Sequence, residues 1–128
     1  MDKKIKLPVH MNLGLIFLEF LIGNYIAIFI NVENKGNFMG YLSGYPFIAI
    51  HAMLGGLILI ISIVIVITLS KHGGRLFYGS IIGFIGVLLA AVGGYEYLVS
   101  GLIAGYSFMM ALGFLVAISG YIIALLEN

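Results

Sequence analysis

Phe77-Tyr-Gly-Ser-Ile-Ile-Gly-Phe-Ile-Gly-Val-Leu-Leu-Ala-Ala-Val-Gly-Gly-Tyr-Glu-Tyr97 carries a single charged residue, Glu96, next to its end. A helix rises about 1.5 Å per residue, so this run covers the roughly 30 Å hydrocarbon core of a bilayer. Lipid offers no hydrogen bonds to an open backbone, and a spanning segment of this length is therefore helical. Along it Gly79, Gly83, Gly86, Ala90, Gly93 and Tyr97 recur at alternating spacings of four and three, which leaves one face almost bare of side chains.

Three further runs of the same kind flank it, at about 11–32, 46–69 and 103–126. Together with 77–97 they predict an all-α integral membrane protein, a four-helix up-down bundle that occupies the chain 1–128 as one transmembrane domain. Hydrophobic residues make up 62% of the chain and charged ones 9%, which excludes an ordinary soluble domain. The basic start, Met1-Asp-Lys-Lys-Ile-Lys6, precedes an apolar run longer than a signal-peptide core, so the first helix is expected to be retained. Lys3, Lys4, Lys6, Lys71 and Arg75 fall on one side of the spans and only Lys35 on the other. The positive-inside rule then puts both termini and the 70–76 loop in the cytoplasm of a multi-pass plasma-membrane protein.

Each run has its own pattern. The first carries Asn12, Glu19, Gly23 and Ala27 on one face; the second follows Pro46, well placed in a first turn, with His51, Gly55 and Ser62 on one stripe. The last presents Tyr106, Met110, Gly113, Ala117, Gly120 and Ala124. Helices in lipid associate through close backbone approach, so the stripe from Gly79 to Gly93 and the stripe holding Gly113 and Gly120 predict that the last two spans pack most tightly. The same glycines would also leave room for a flat ligand such as haem or quinone, or form an interface in a homo-oligomer. The 31–45 segment is rich in turn formers and reads as a loop, its tyrosines joining Tyr95, Tyr97 and Tyr106 in an aromatic belt at the membrane surface. A faint internal echo pairs Leu21-Ile-Gly-Asn-Tyr25 with Ala91-Val-Gly-Gly-Tyr95, and His51-Ala-Met-Leu-Gly55 with Met109-Met-Ala-Leu-Gly113.

Few residues can carry chemistry. Ionisable side chains inside a membrane are costly and face the bundle interior, which singles out His51 and Glu19. His51 is expected near the outer end of its helix, either ligating haem iron or bonded to Glu96 or a tyrosine. Met109 and Met110 enter the last helix at a similar depth and are the candidate opposing ligands; both also suit gap filling. Glu19 falls near mid-membrane, as a proton-relay group or as a structural partner of Ser62, Ser119 or a carbonyl. No His-Glu-x-x-His, phosphate loop or nucleophile elbow is present. His10, His51 and His72 stand on separate segments without cysteine, which leaves zinc unsupported. The net charge of +1 suggests no nucleic-acid partner.

Leu21-Ile-Gly-Asn-Tyr25, the long outer loop and His51-Ala-Met-Leu-Gly-Gly-Leu57 together resemble one four-helix half of haem A synthase. That resemblance implies a haem-binding bundle with histidines near the outer ends of its second and fourth helices. Only the second-helix position is filled here, by His51; the fourth helix offers Tyr106-Ser-Phe-Met-Met110, and Phe47-Ile-Ala-Ile50 replaces the family's acidic residue. The chain is also similar to small four-helix prokaryotic membrane proteins of unassigned function. Three functions remain: an accessory or structural subunit of a membrane complex, possible in respiration; a b-type haem- or quinone-binding redox protein using His51; and a small carrier using Glu19.

Overall fold

The computed structural model describes residues 3–126, with no description of the side chains of residues 3–5. The chain's first and last two residues, 1–2 and 127–128, lie outside the described residues, as does any placement of the termini themselves. The described residues form five helices: α1 (Lys3–Phe29), α2 (Phe38–Gly44), α3 (Pro46–Leu69), α4 (Gly74–Val99) and α5 (Ala104–Leu125). Four of them, all but α2, are long and apolar enough to cross a membrane, as a multi-pass membrane protein requires.

α3 occupies the predicted range, with Pro46 in its first turn where the missing N–H costs nothing. α4 and α5 differ from their predicted bounds by only one turn or less. α1 starts well ahead of Met11 and takes Pro8 inside it. A proline interrupts a helix by removing one backbone donor and crowding the preceding turn. Here that loss falls near the helix start, and α1 continues through it. α1 also ends at Phe29 rather than Val32, leaving the residues before Gly36 to turn the chain back.

The 31–45 segment is not the open loop predicted, because Phe38–Gly44 is helical. Asn37 caps it, its Oδ1 accepting the Gly40 N–H at 2.7 Å. A helix this short gains little from propensity, and tertiary burial holds it. Tyr41 is fully buried in a cluster with Ile48 and Leu98, and its hydroxyl donates to Asn34 Oδ1 at 3.1 Å. Tyr41 is therefore an interior anchor and not a member of a surface belt. Tyr45 is half-buried and its hydroxyl accepts the Glu33 N–H at 2.8 Å, which ties the start of the segment to its end.

The long helices form a ring in which α3 lies against α1, α4 against α3, and α5 against both α4 and α1, while α2 rests on α3 and α4. The α4–α5 seam is the closest. A Cβ on Gly79 would stand 2.5 Å from the Ala124 backbone nitrogen, and one on Gly86, Gly113 or Gly120 would fall on the facing backbone of Ala117, Ala90 or Gly83. The facing residue number falls on α5 as it rises on α4, so the two helices run antiparallel. Gly83 faces the Tyr121 ring, and Gly93 faces the Met110 backbone.

Two clusters fill the ends of the ring. Val9, Ile65, Leu69, Leu76, Tyr121 and Ala124 belong to the larger; Tyr41, Ile48 and Leu98 form the smaller. Large apolar side chains such as Ile28, Ile60, Ile67 and Leu115 point away from the bundle and remain exposed, the arrangement a lipid solvent favours. Between the two clusters the packing is interrupted, and the polar residues of interest lie at that interruption.

Candidate functional site

Glu19 on α1 and His51 on α3 meet across the helix pair, with Glu19 Oε1 at 2.9 Å from His51 Nδ1. Their side chains are mostly withdrawn from the surface, 17% and 29% exposed respectively. The contact has ion-pair distance, but the carboxylate oxygen lies off the line of the ring N–H, and Nδ1 makes no aligned hydrogen bond. The second carboxylate oxygen, Oε2, is buried with no hydrogen-bond partner. Polar atoms buried in this way carry an uncompensated desolvation cost, so the pair is open to a further polar group.

Glycines make the approach possible. Each partner is followed one turn later by glycine, Glu19 by Gly23 and His51 by Gly55. A Cβ on Gly23 would stand 3.1 Å from His51 Cε1, and one on Gly55 would stand 3.0 Å from Glu19 Oε1. Each ionisable side chain thus crosses to the other helix and lies in the notch beside its partner. The partner of His51 is Glu19, and neither Glu96 nor a tyrosine; Glu96 instead accepts from the Ser100 hydroxyl at 3.3 Å. Glu19 likewise has no bond to Ser62 or Ser119. Counting depth from each helix's own ends separated the two residues, whereas the packing of α1 on α3 brings them level.

The pair borders a cavity of about 590 Å³ between the four long helices. Its walls are mainly apolar: Ile16 and Phe20 from α1, Ile48 and Ile58 from α3, Val87 from α4, and Phe114 from α5. Phe20 and Phe114 stack with centroids 4.4 Å apart, which joins α1 to α5 along this wall. Asn24 also lines it, its amide donating to the Phe20 carbonyl at 2.8 Å. Among the described residues, neither lysine nor arginine borders the cavity.

The methionines separate. Met110 borders the cavity, with its Sδ packed where a Cβ on Gly94 would be 3.1 Å away; Met109 does not border it. The internal echo is loose in space, since Gly23 faces His51 whereas its counterpart Gly93 faces Met110 and not Met109. Among the described residues no three His, Asp or Glu side chains gather as a metal site. His10 is exposed and its Nδ1 donates to the Lys6 carbonyl at 2.9 Å, far from any such role.

A second polar cluster lies in the larger core, where Asn12 and Ser62 are fully buried. Ser62 Oγ donates to the Ile58 carbonyl at 2.7 Å and accepts from Asn12 Nδ2 at 2.9 Å and from the Tyr121 hydroxyl at 2.8 Å. Three helices, α1, α3 and α5, are joined at one oxygen. Asn12 and Ser62 lie on the single faces that the sequence marks on the first two spans; Tyr121 sits inside an apolar run beside the glycine stripe, where nothing in the sequence marks it. The signal for the Glu19–His51 pair was readable in principle, as an ionisable residue followed by glycine four positions later on both of the first two spans.

No protein-family model, curated protein or solved structure matches the chain.

Proposed function

We propose that this multi-pass membrane protein holds a small, largely apolar molecule with a polar head group in the cavity beside Glu19 and His51. One observation carries the reading: a carboxylate and an imidazole in contact at 2.9 Å, with Glu19 Oε2 unpartnered, at the edge of an apolar cavity. Ligand sites are typically apolar concavities with a few convergent polar groups, and intramembrane ionisable residues mark substrate or proton sites. His51 and Glu19 orient the head group, while Phe20, Ile48 and Phe114 receive the apolar body.

The bundle is read as up-down, with its basic end cytoplasmic in the plasma membrane. Support comes from the cluster that packs Val9, Leu69, Leu76 and Ala124 together, which gathers Lys6, Lys71 and Arg75 at one end of the bundle. An accessory subunit or a homo-oligomer would rest on the exposed apolar surface, which lipid covers equally well. The site reading has a specific feature behind it and is preferred.

The test is the composition of the purified protein. Extraction of the full chain from mild detergent, followed by mass spectrometry, is expected to release a small apolar molecule that Glu19→Gln no longer retains at unchanged helicity. A Soret band lost in His51→Ala would turn the reading to haem. Stoichiometric co-purification of another membrane protein, with the cavity empty, would turn it to a subunit.

A further inference from the structure

Resting on that reading of the cavity, we infer that its occupant is a lipophilic organic cation, an ammonium carried on an aromatic or aliphatic body, which exchanges with a proton on the Glu19–His51 pair. Three observations combine. First, at the cavity the polar atoms of the described residues that are buried without an aligned partner are the acceptor Oε2 of Glu19 and Nδ1 of His51. An ammonium brings several N–H donors on one centre, enough to reach both carboxylate oxygens and a neutral imidazole nitrogen together.

Second, charge selects among occupants. Among the described residues that border the cavity, Glu19 is the carboxylic acid and His51 the imidazole base; α4 adds the phenols Tyr95 and Tyr97, and α5 adds nothing ionisable. When the pair holds its exchangeable proton it is neutral, whether as carboxyl and imidazole or as carboxylate and imidazolium. When that proton leaves, a single negative charge remains, with no lysine or arginine among the described residues that border the cavity. A buried charge must be compensated, and a monovalent cation restores neutrality one for one. The exchange balances: the protonated pair and the free cation give the cation-bound pair and one released proton.

Third, the walls suit a cation with an apolar body. Aromatic faces attract organic cations, and Phe20, Phe114, Phe38 and Tyr95 all border the cavity. Phe38 and Tyr95 lie 5.5 Å apart between centroids on the side toward α2, while Phe20 and Phe114 stack on the opposite side. A neutral alcohol would find the same walls and one hydrogen bond to Oε2, but it would not replace the lost charge.

The experiment is isothermal titration of the purified full chain in neutral detergent with 2-phenylethylammonium and with its uncharged counterpart 2-phenylethanol, at two pH values. The ammonium is expected to bind about tenfold or more tightly than the alcohol, to bind more tightly at the higher pH, and to release protons into the buffer. Glu19→Gln should remove that preference while alcohol binding persists, which also shows that the variant is folded. His51→Gln should keep cation binding but weaken its pH dependence. Equal binding of both probes, unaffected by Glu19→Gln, would overturn the cation inference and leave the cavity reading standing. Binding of neither probe would overturn both.

Discussion

His51 lies against Gly23 while its partner Glu19 lies against Gly55, so that two ionisable side chains exchange places over two glycines on facing helices. The notch on either helix is sized for the absence of a methyl group. Substitution at the glycines therefore acts on the pair without altering its chemistry.

Gly23→Ala places a Cβ 3.1 Å from the imidazole, and Gly55→Ala places one 3.0 Å from the carboxylate. Both side chains are flexible enough to yield, so the helices are expected to remain paired while the Nδ1–Oε1 contact opens. Binding of a cavity probe should weaken by about tenfold or less in each, with helicity unchanged. Gly14, on α1 with open space at its Cβ and away from the cavity wall, supplies the control: Gly14→Ala should bind like the unaltered protein.

The α4–α5 seam responds differently, because what an added Cβ meets there is backbone. Gly86→Leu and Gly120→Leu are expected to force the helices apart and to cost about 3 kcal/mol or more, read as a large fall in the thermal midpoint in detergent. Gly105→Ala on the same helix meets nothing within reach and should leave the midpoint in place. An unaltered midpoint in Gly86→Leu would mean that the seam is not a determinant of stability.

Ser62 Oγ accepts from both Asn12 and Tyr121, so the two bonds share one acceptor. Tyr121→Phe is expected to cost about 0.5–1.5 kcal/mol, in line with hydrogen bonds between membrane helices. Asn12→Ala should cost a similar amount, reduced by the removal of an amide oxygen that is buried without a partner. A double-mutant cycle should show the two effects to be non-additive, since each change alters the oxygen the other uses.

Asn37→Ala removes the side-chain acceptor at the start of α2 and should destabilise that helix by about 1 kcal/mol. Hydrogen exchange at residues 38–44 is the direct readout, with faster exchange confined to that segment. Because Tyr41 anchors α2 to Ile48 and Leu98, Tyr41→Ala is expected to speed exchange further and to extend it into the start of α3.

The spans were legible from hydropathy alone, and the glycine spacing of residues 79–93 marked the side of α4 that meets α5. Glu19 and His51 were legible one at a time, as ionisable groups in apolar runs. Their pairing was not, because it depends on how far α1 slides along α3. The two helices are joined by the 31–45 segment, where α2 takes up chain that reads as loop. α2 itself has two glycines and a serine among seven residues, and its helical state comes from burial of Tyr41 rather than from local preference. The start of α1 ahead of Met11 was not legible either, because Pro8, a residue type that normally marks a boundary, lies within the helix.

Where α4 meets α5, at Gly79, Gly86, Gly113 and Gly120, the contact is backbone on backbone. At those four glycines the contact loses no side-chain entropy when it forms, and it has no rotamers to draw on when strained. Such a joint does not adapt; it holds one spacing or separates. The two halves of the bundle therefore differ in compliance, with α4 and α5 acting as a stiff spine. What give the bundle has falls to α1 and α3, whose contact is made by two movable side chains over two glycines.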